Sequence, residues 1–153
     1  MLTKLFSVTL ILAAFQSFAQ SPVISAKDFA AELINDRNLV VIDVNAPDIY
    51  AKQHIQGAIN VYVKDLYKSG SVEGQLKSNE ELAAIFGKKG VSNTAKNVVY
   101  EDGSNKHNSR VWWVLKSIGA TDVSILHVDA DEFAAAQIQL TATPATKNST
   151  TFA

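Results

Sequence analysis

Short apolar runs alternate with amphipathic stretches along this chain, and that alternation predicts an α/β fold. Leu39-Val40-Val41-Ile42-Asp43-Val44 is a continuous run rich in β-branched residues. Such a run is the mark of a strand covered on both faces, as in a parallel sheet. Ala58 to Val61, after a turn at Gly57, reads as a second strand, Asn97 to Tyr100 as a third and Asp122 to Leu126 as a further one. Helical stretches separate them. Ser25-Ala26-Lys27-Asp28 looks like a capping box, and Phe29, Leu33 and Ile34 follow at helical spacing. Ala46-Pro47-Asp48 opens a short helix with proline near its first turn. Ser78-Asn79-Glu80-Glu81 starts another, with Leu82, Ile85 and Phe86 as its buried stripe and Gly87 and Gly90 at its end. Ser109 to Ile118 and Ala130 to Ile138 complete the helices. The predicted fold is a mostly parallel central sheet of about five strands with helices on both faces.

The two ends break this pattern. Lys4 followed by an apolar stretch from Leu5 to Phe15, then Ser17-Phe18-Ala19, reads as a secretory signal peptide cleaved after Ala19. The apolar stretch is too short to span a bilayer. No cysteine follows it to carry a lipid. Residues 141–153 are rich in Thr, Ala, Ser and Asn with no apolar period, and read as a flexible tail. The expected organisation is a signal peptide over 1–19, one domain over 20–140 and a tail over 141–153. Export to the periplasm or the extracellular space follows, with no stable membrane span after cleavage.

Composition narrows the function. The chain has 14 Lys and Arg against 15 Asp and Glu, a net charge of -1, and losing Lys4 with the signal leaves -2. That balance gives no reason to expect nucleic acid as a partner. The chain has no cysteine. Export permits disulfides, but none can form here, and the protein cannot perform thiol or persulfide chemistry with its own side chains.

In an open parallel sheet, ligands gather beyond the carboxyl ends of the strands. The loop after Tyr100 runs from a buried strand into a helix N-terminus, where backbone N–H groups favour an anion. Candidate binding residues are therefore Glu101, Asp102, Gly103, Ser104, Asn105, Lys106, His107 and Asn108. Two carboxylates in that loop cancel most of the attraction that the helix dipole would hold for an anion, about 0.3–1 kcal/mol at an exposed site.

Two segments carry a family resemblance. Val41-Ile42-Asp43-Val44 followed by His54-Ile55-Gln56-Gly57-Ala58-Ile59-Asn60-Val61 resembles the first signature of the rhodanese-like superfamily. Val98-Val99-Tyr100, the loop, and Ser109-Arg110-Val111-Trp112-Trp113 resemble the active-loop region of thiosulfate and mercaptopyruvate sulfurtransferases. The resemblance implies a cysteine just after Tyr100 as sulfur carrier, and the chain has Glu101 there. Acidic residues at that place resemble the non-catalytic domain of two-domain sulfurtransferases. Asn45 stands where arginine is usual, Gln53 and Gln56 flank His54-Ile55 in place of glycine and proline, and Val128-Asp129 replaces a glycine pair.

The resulting expectation is a non-enzyme: an inactive rhodanese-like domain with no catalytic residue and no cofactor, acting as a binding or accessory module for an envelope protein partner. Two alternatives stand beside it. One is an enzyme using the acidic loop with a divalent metal, drawing on Glu101, Asp102 and His107 together with His127, Asp129, Asp131 and Glu132. The other is a partner subunit of an active sulfurtransferase. His54 reads as a structural histidine, Arg110 as a partner for a nearby carboxylate, and Trp112 and Trp113 as one core and one flanking residue.

Overall fold

The computed structural model describes residues 21–70, 72–103 and 106–152. The signal-peptide assignment lies outside the described residues. Five strands form one sheet in the order β1 (Val23–Ile24), β6 (Asp122–Leu126), β5 (Lys96–Tyr100), β2 (Val40–Asp43) and β4 (Ile59–Asn60), with every neighbouring pair parallel. The predicted parallel α/β architecture is present. The edge strand β1 was not anticipated, being only two residues long.

Side-chain alternation along the central strands builds two cores. Val40, Ile42 and Val44 meet Leu82 and Phe86 of α3 (Asn79–Lys88) and Val111, Val114 and Leu115 of α4 (Lys106–Ser117). Val41, Val98 and Tyr100 meet Phe29 of α1 (Ala26–Asn35) and Phe133 of α5 (Ala130–Ala135) on the other face. Val40, Val41 and Ile42 are all at most 3% exposed, so β2 has no solvent face. Each such residue stabilises the fold by about 1.5–3 kcal/mol relative to exposure.

The helix starts follow the expected cap chemistry. The Ser25 side chain accepts the Asp28 N–H at 3.1 Å. Ser78 and Glu81 form a reciprocal capping box at the start of α3. A short helix α2 (Pro47–Lys52) carries proline in its first turn. No helix among the described residues is long and apolar enough to cross a membrane.

The C-terminal segment corrects the composition-based reading. Residues 141–152 do not hang free but run as a strap along the domain. Strand β7 (Leu140–Thr141) pairs antiparallel with β3 (His54–Ile55). Further on, Lys147 Nζ donates to the Leu39 carbonyl at 3.1 Å and the Thr150 N–H to the Gly87 carbonyl at 2.9 Å. Phe152 then buries its ring 6.3 Å from that of Phe86. A Cβ on Gly87 would lie 2.5 Å from the Thr150 carbonyl oxygen, so only glycine lets the strap approach α3 this closely. The order comes from scattered hydrogen bonds, one of them donated by the Lys147 side chain, and one terminal aromatic anchor, none of which has a periodic signature.

Candidate functional site

The site is built where β2 and β5 end side by side. Asp43 and Tyr100 are the last residues of those strands and are paired in register. The first residue past β5 is Glu101, whose side chain is 2% exposed. Gly103 takes φ +111 in the loop that follows, a backbone region open to glycine. Helix α4 then begins at Lys106.

Glu101 turns back onto that helix start. Its Oε1 and Oε2 accept the His107 backbone N–H at 3.2 and 3.1 Å. His107 Nδ1 lies 3.0 Å from Oε2. A carboxylate only accepts hydrogen bonds, so that ring nitrogen carries the proton between them. The loop's own side chain thus takes up donor capacity at the helix N-terminus, the feature that makes such junctions attractive to free anions.

Beneath the loop lies a second buried carboxyl group. Asp43 is fully buried; its Oδ1 accepts the Asn45 N–H at 2.8 Å and its Oδ2 the Tyr100 hydroxyl at 2.7 Å. The Tyr100 oxygen in turn accepts the Ile55 N–H at 2.9 Å. Burial pushes the Asp43 carboxyl above its usual range, against the opposing pull of the hydrogen bonds from Tyr100 and Asn45. Burial, and then the nearby Asp43 charge, push the Tyr100 hydroxyl up, so it stays protonated and keeps donating.

His54 is equally committed. Its ring stacks on Tyr50 with centroids 3.8 Å apart. Its Nδ1 lies 2.6 Å from the Tyr50 carbonyl and its Nε2 3.1 Å from the Thr143 carbonyl on the strap. The histidine ties α2, β3 and the strap together.

The remaining sequence-derived residues are scattered. Asp102 is exposed, and its N–H donates to Asn45 Oδ1 at 3.3 Å. Lys106 is exposed, whereas Asn108 is fully buried and its Oδ1 accepts the Ser109 hydroxyl at 3.3 Å. Ser104 and Asn105 lie outside the described residues. Charge suggests a carboxylate partner for Arg110, but none pairs with it among the described residues. Its Nη2 donates to the Gly74 carbonyl at 3.0 Å, and its guanidinium lies over the rings of Tyr67 and Trp113. The stacked aromatic faces give a delocalised cation an alternative to a carboxylate. Trp112 packs against the core and donates to the Val123 carbonyl at 2.9 Å, while Trp113 is 51% exposed. Among the described residues, no three histidine, aspartate or glutamate side chains cluster closely enough to hold a metal ion. The Asp43–Tyr100–Ile55 chain of hydrogen bonds has no sequence signal, because no local spacing encodes a tyrosine reaching across to β3.

A parallel sheet with a strand-to-helix loop at its carboxyl edge defines the class of open α/β domains. Within that class the assignment is specific: the pattern of the rhodanese-like domain matches residues 25–136, and the chain belongs to that family. It is 32% identical over 105 residues to a putative thiosulfate sulfurtransferase of Synechococcus elongatus, covering 66% of this chain and 32% of that protein. It is 29% identical over 110 residues to the 3-mercaptopyruvate sulfurtransferase of Escherichia coli K12, covering 65% of this chain and 39% of that one. The chain therefore spans only about a third of the length of these relatives. The crystal structure of the Escherichia coli 3-mercaptopyruvate sulfurtransferase SseA superposes with a TM-score of 0.74 at 23% identity, covering 87% of this chain and 55% of that one. YnjE superposes with a TM-score of 0.66 at 18% identity, covering 86% of this chain and 33% of that one. Both likenesses establish the fold.

Proposed function

We propose that this chain is an exported, catalytically silent rhodanese-like domain that works as a binding or accessory module for an envelope protein partner. One observation carries the reading. Glu101 stands where the family resemblance places the sulfur-carrying cysteine, and its carboxylate is bonded into the first turn of α4. A carboxylate cannot form a persulfide. It also sets negative charge at the helix start that would receive thiosulfate or a like anion.

The deciding assay is cyanide-dependent turnover of thiosulfate by the purified chain. Turnover at background is expected; a rate above background overturns the proposal. Glu101→Cys is the companion variant. If the loop keeps the family geometry, the variant accepts sulfur weakly, while wild type accepts none. Export is tested separately, by the N-terminal sequence of the protein recovered from the envelope fraction, with Gln20 expected as its first residue.

A second reading has its own support. The chain is similar to sulfurtransferases over 105 to 110 residues yet has no cysteine, which suits a partner subunit of an active sulfurtransferase. Co-purification with an enzyme that turns over thiosulfate favours it. A lone, monomeric elution from the same extract counts against it.

A further inference from the structure

A cavity of about 330 Å³ opens beside the loop, on the sheet face that carries α5. That is the size of a small-molecule site. Its apolar wall comes from Val128, Phe133, Ile138 and Leu140, contributed by the segment after β6, by α5 and by the start of the strap. Phe133 and Ile138 are at most 9% exposed, while Leu140 is 45% exposed. An apolar body entering here covers a leucine that the fold itself leaves partly wet.

Two carboxyl groups, Asp43 and Asp102, and one imidazole, His54, line the cavity, with no lysine or arginine among the described residues. Asp43 already has an acceptor bond on each oxygen, and both His54 ring nitrogens face carbonyl oxygens. Asp102 differs. It is exposed, and among the described residues no hydrogen bond engages its carboxylate. The amide side chain of Gln53 stands exposed on the same rim. An exposed carboxylate and a neutral amide on the same lining as an apolar wall suit a cation with a hydrophobic body. An anion there would meet the Asp102 carboxylate with no lysine or arginine to offset it.

We propose that this cavity binds a small organic cation, an ammonium or amidinium group held at Asp102 with its hydrophobic body against Phe133, Ile138 and Leu140. The assignment rests on the binding-module reading, and the two fail separately. Sulfur turnover would remove that reading, whereas the titrations below bear on the cavity alone.

The test titrates the purified chain with three probes of one shape: 2-phenylethylammonium, 3-phenylpropionate and 2-phenylethanol. Binding is followed by calorimetry and by backbone amide shifts of residues 133–140. The ammonium probe should bind most tightly and shift those amides. Asp102→Asn should weaken it at least fivefold without changing the melting temperature. Gln53→Lys, a second exposed substitution, should weaken the ammonium probe and improve the carboxylate probe. Equal binding of all three probes, an unchanged affinity in Asp102→Asn, or no binding of the ammonium probe overturns the proposal.

Discussion

Asp43 and Glu101 are buried carboxyl groups at the ends of neighbouring strands, yet they are held in opposite ways. Asp43 sits inside the face packed by α1 and α5 and receives a tyrosine hydroxyl and one backbone N–H. Glu101 sits just past the sheet and faces the amide and ring of His107 at the start of α4. The first belongs to the architecture: it fixes the ends of β2 and β5 and, through Tyr100, the position of β3. The second stands in the loop between β5 and α4, where the family resemblance implies a cysteine. A scaffold can keep the carboxylate that holds its strands in register while the neighbouring loop changes what it presents.

The comparison breaks most visibly at Asp43. Asp43→Ala leaves the Tyr100 hydroxyl and the Asn45 N–H without their acceptor, each at about 1–3 kcal/mol. A combined loss of about 3 kcal/mol in urea unfolding is expected, and a loss below about 1 kcal/mol would show that the carboxyl is dispensable. Glu101→Ala removes hydrogen bonds to one carboxylate, with an expected loss of about 2 kcal/mol by the same measurement. Glu101→Gln, which keeps an acceptor, should recover part of it. A Glu101→Ala chain as stable as wild type would mean that the carboxylate does not hold the loop. Ser78→Ala sets the scale for an ordinary exposed cap, about 1 kcal/mol.

The finest discrimination is in pH. Burial raises the folded-state pKa of Asp43 above its ordinary value of 3.8. Between those two values the folded protein holds a proton that the unfolded chain releases. Stability from this group is therefore fully present below 3.8 and is lost as pH rises toward the folded value. The difference in unfolding free energy between wild type and Asp43→Asn should shift against wild type as pH climbs through that window. A pH-independent difference would place the folded carboxyl at its ordinary pKa.

The sheet was legible in the sequence because its central strands are buried on both faces, so Leu39 to Val44 and Asn97 to Tyr100 read as unbroken apolar runs. Helix starts were legible because caps are local, as at Ser25 and Ser78. The site was half legible. Glu101 could be placed after Tyr100 by pattern, but its hydrogen bonds to His107 could not, since they depend on how the loop folds back. Arg110 was misjudged because charge alone suggested a carboxylate partner, whereas the fold supplied a carbonyl and two aromatic rings. The strap escaped notice for the same reason that β1 and β3 did. Two-residue strands and scattered single hydrogen bonds leave no period for side chains to report.

The strap has a mechanical consequence. It runs from β3 past Tyr50 and Leu39 to Gly87 and ends with Phe152 beside Phe86. A force applied at the C-terminus reaches the Phe152 anchor first and the ties nearer β3 after it. A fusion joined after residue 153 would pull on Phe152 first, while one joined before residue 21 would leave that anchor untouched. A chain ended at residue 136, where the family match stops, would lose the whole fastening and uncover Phe86.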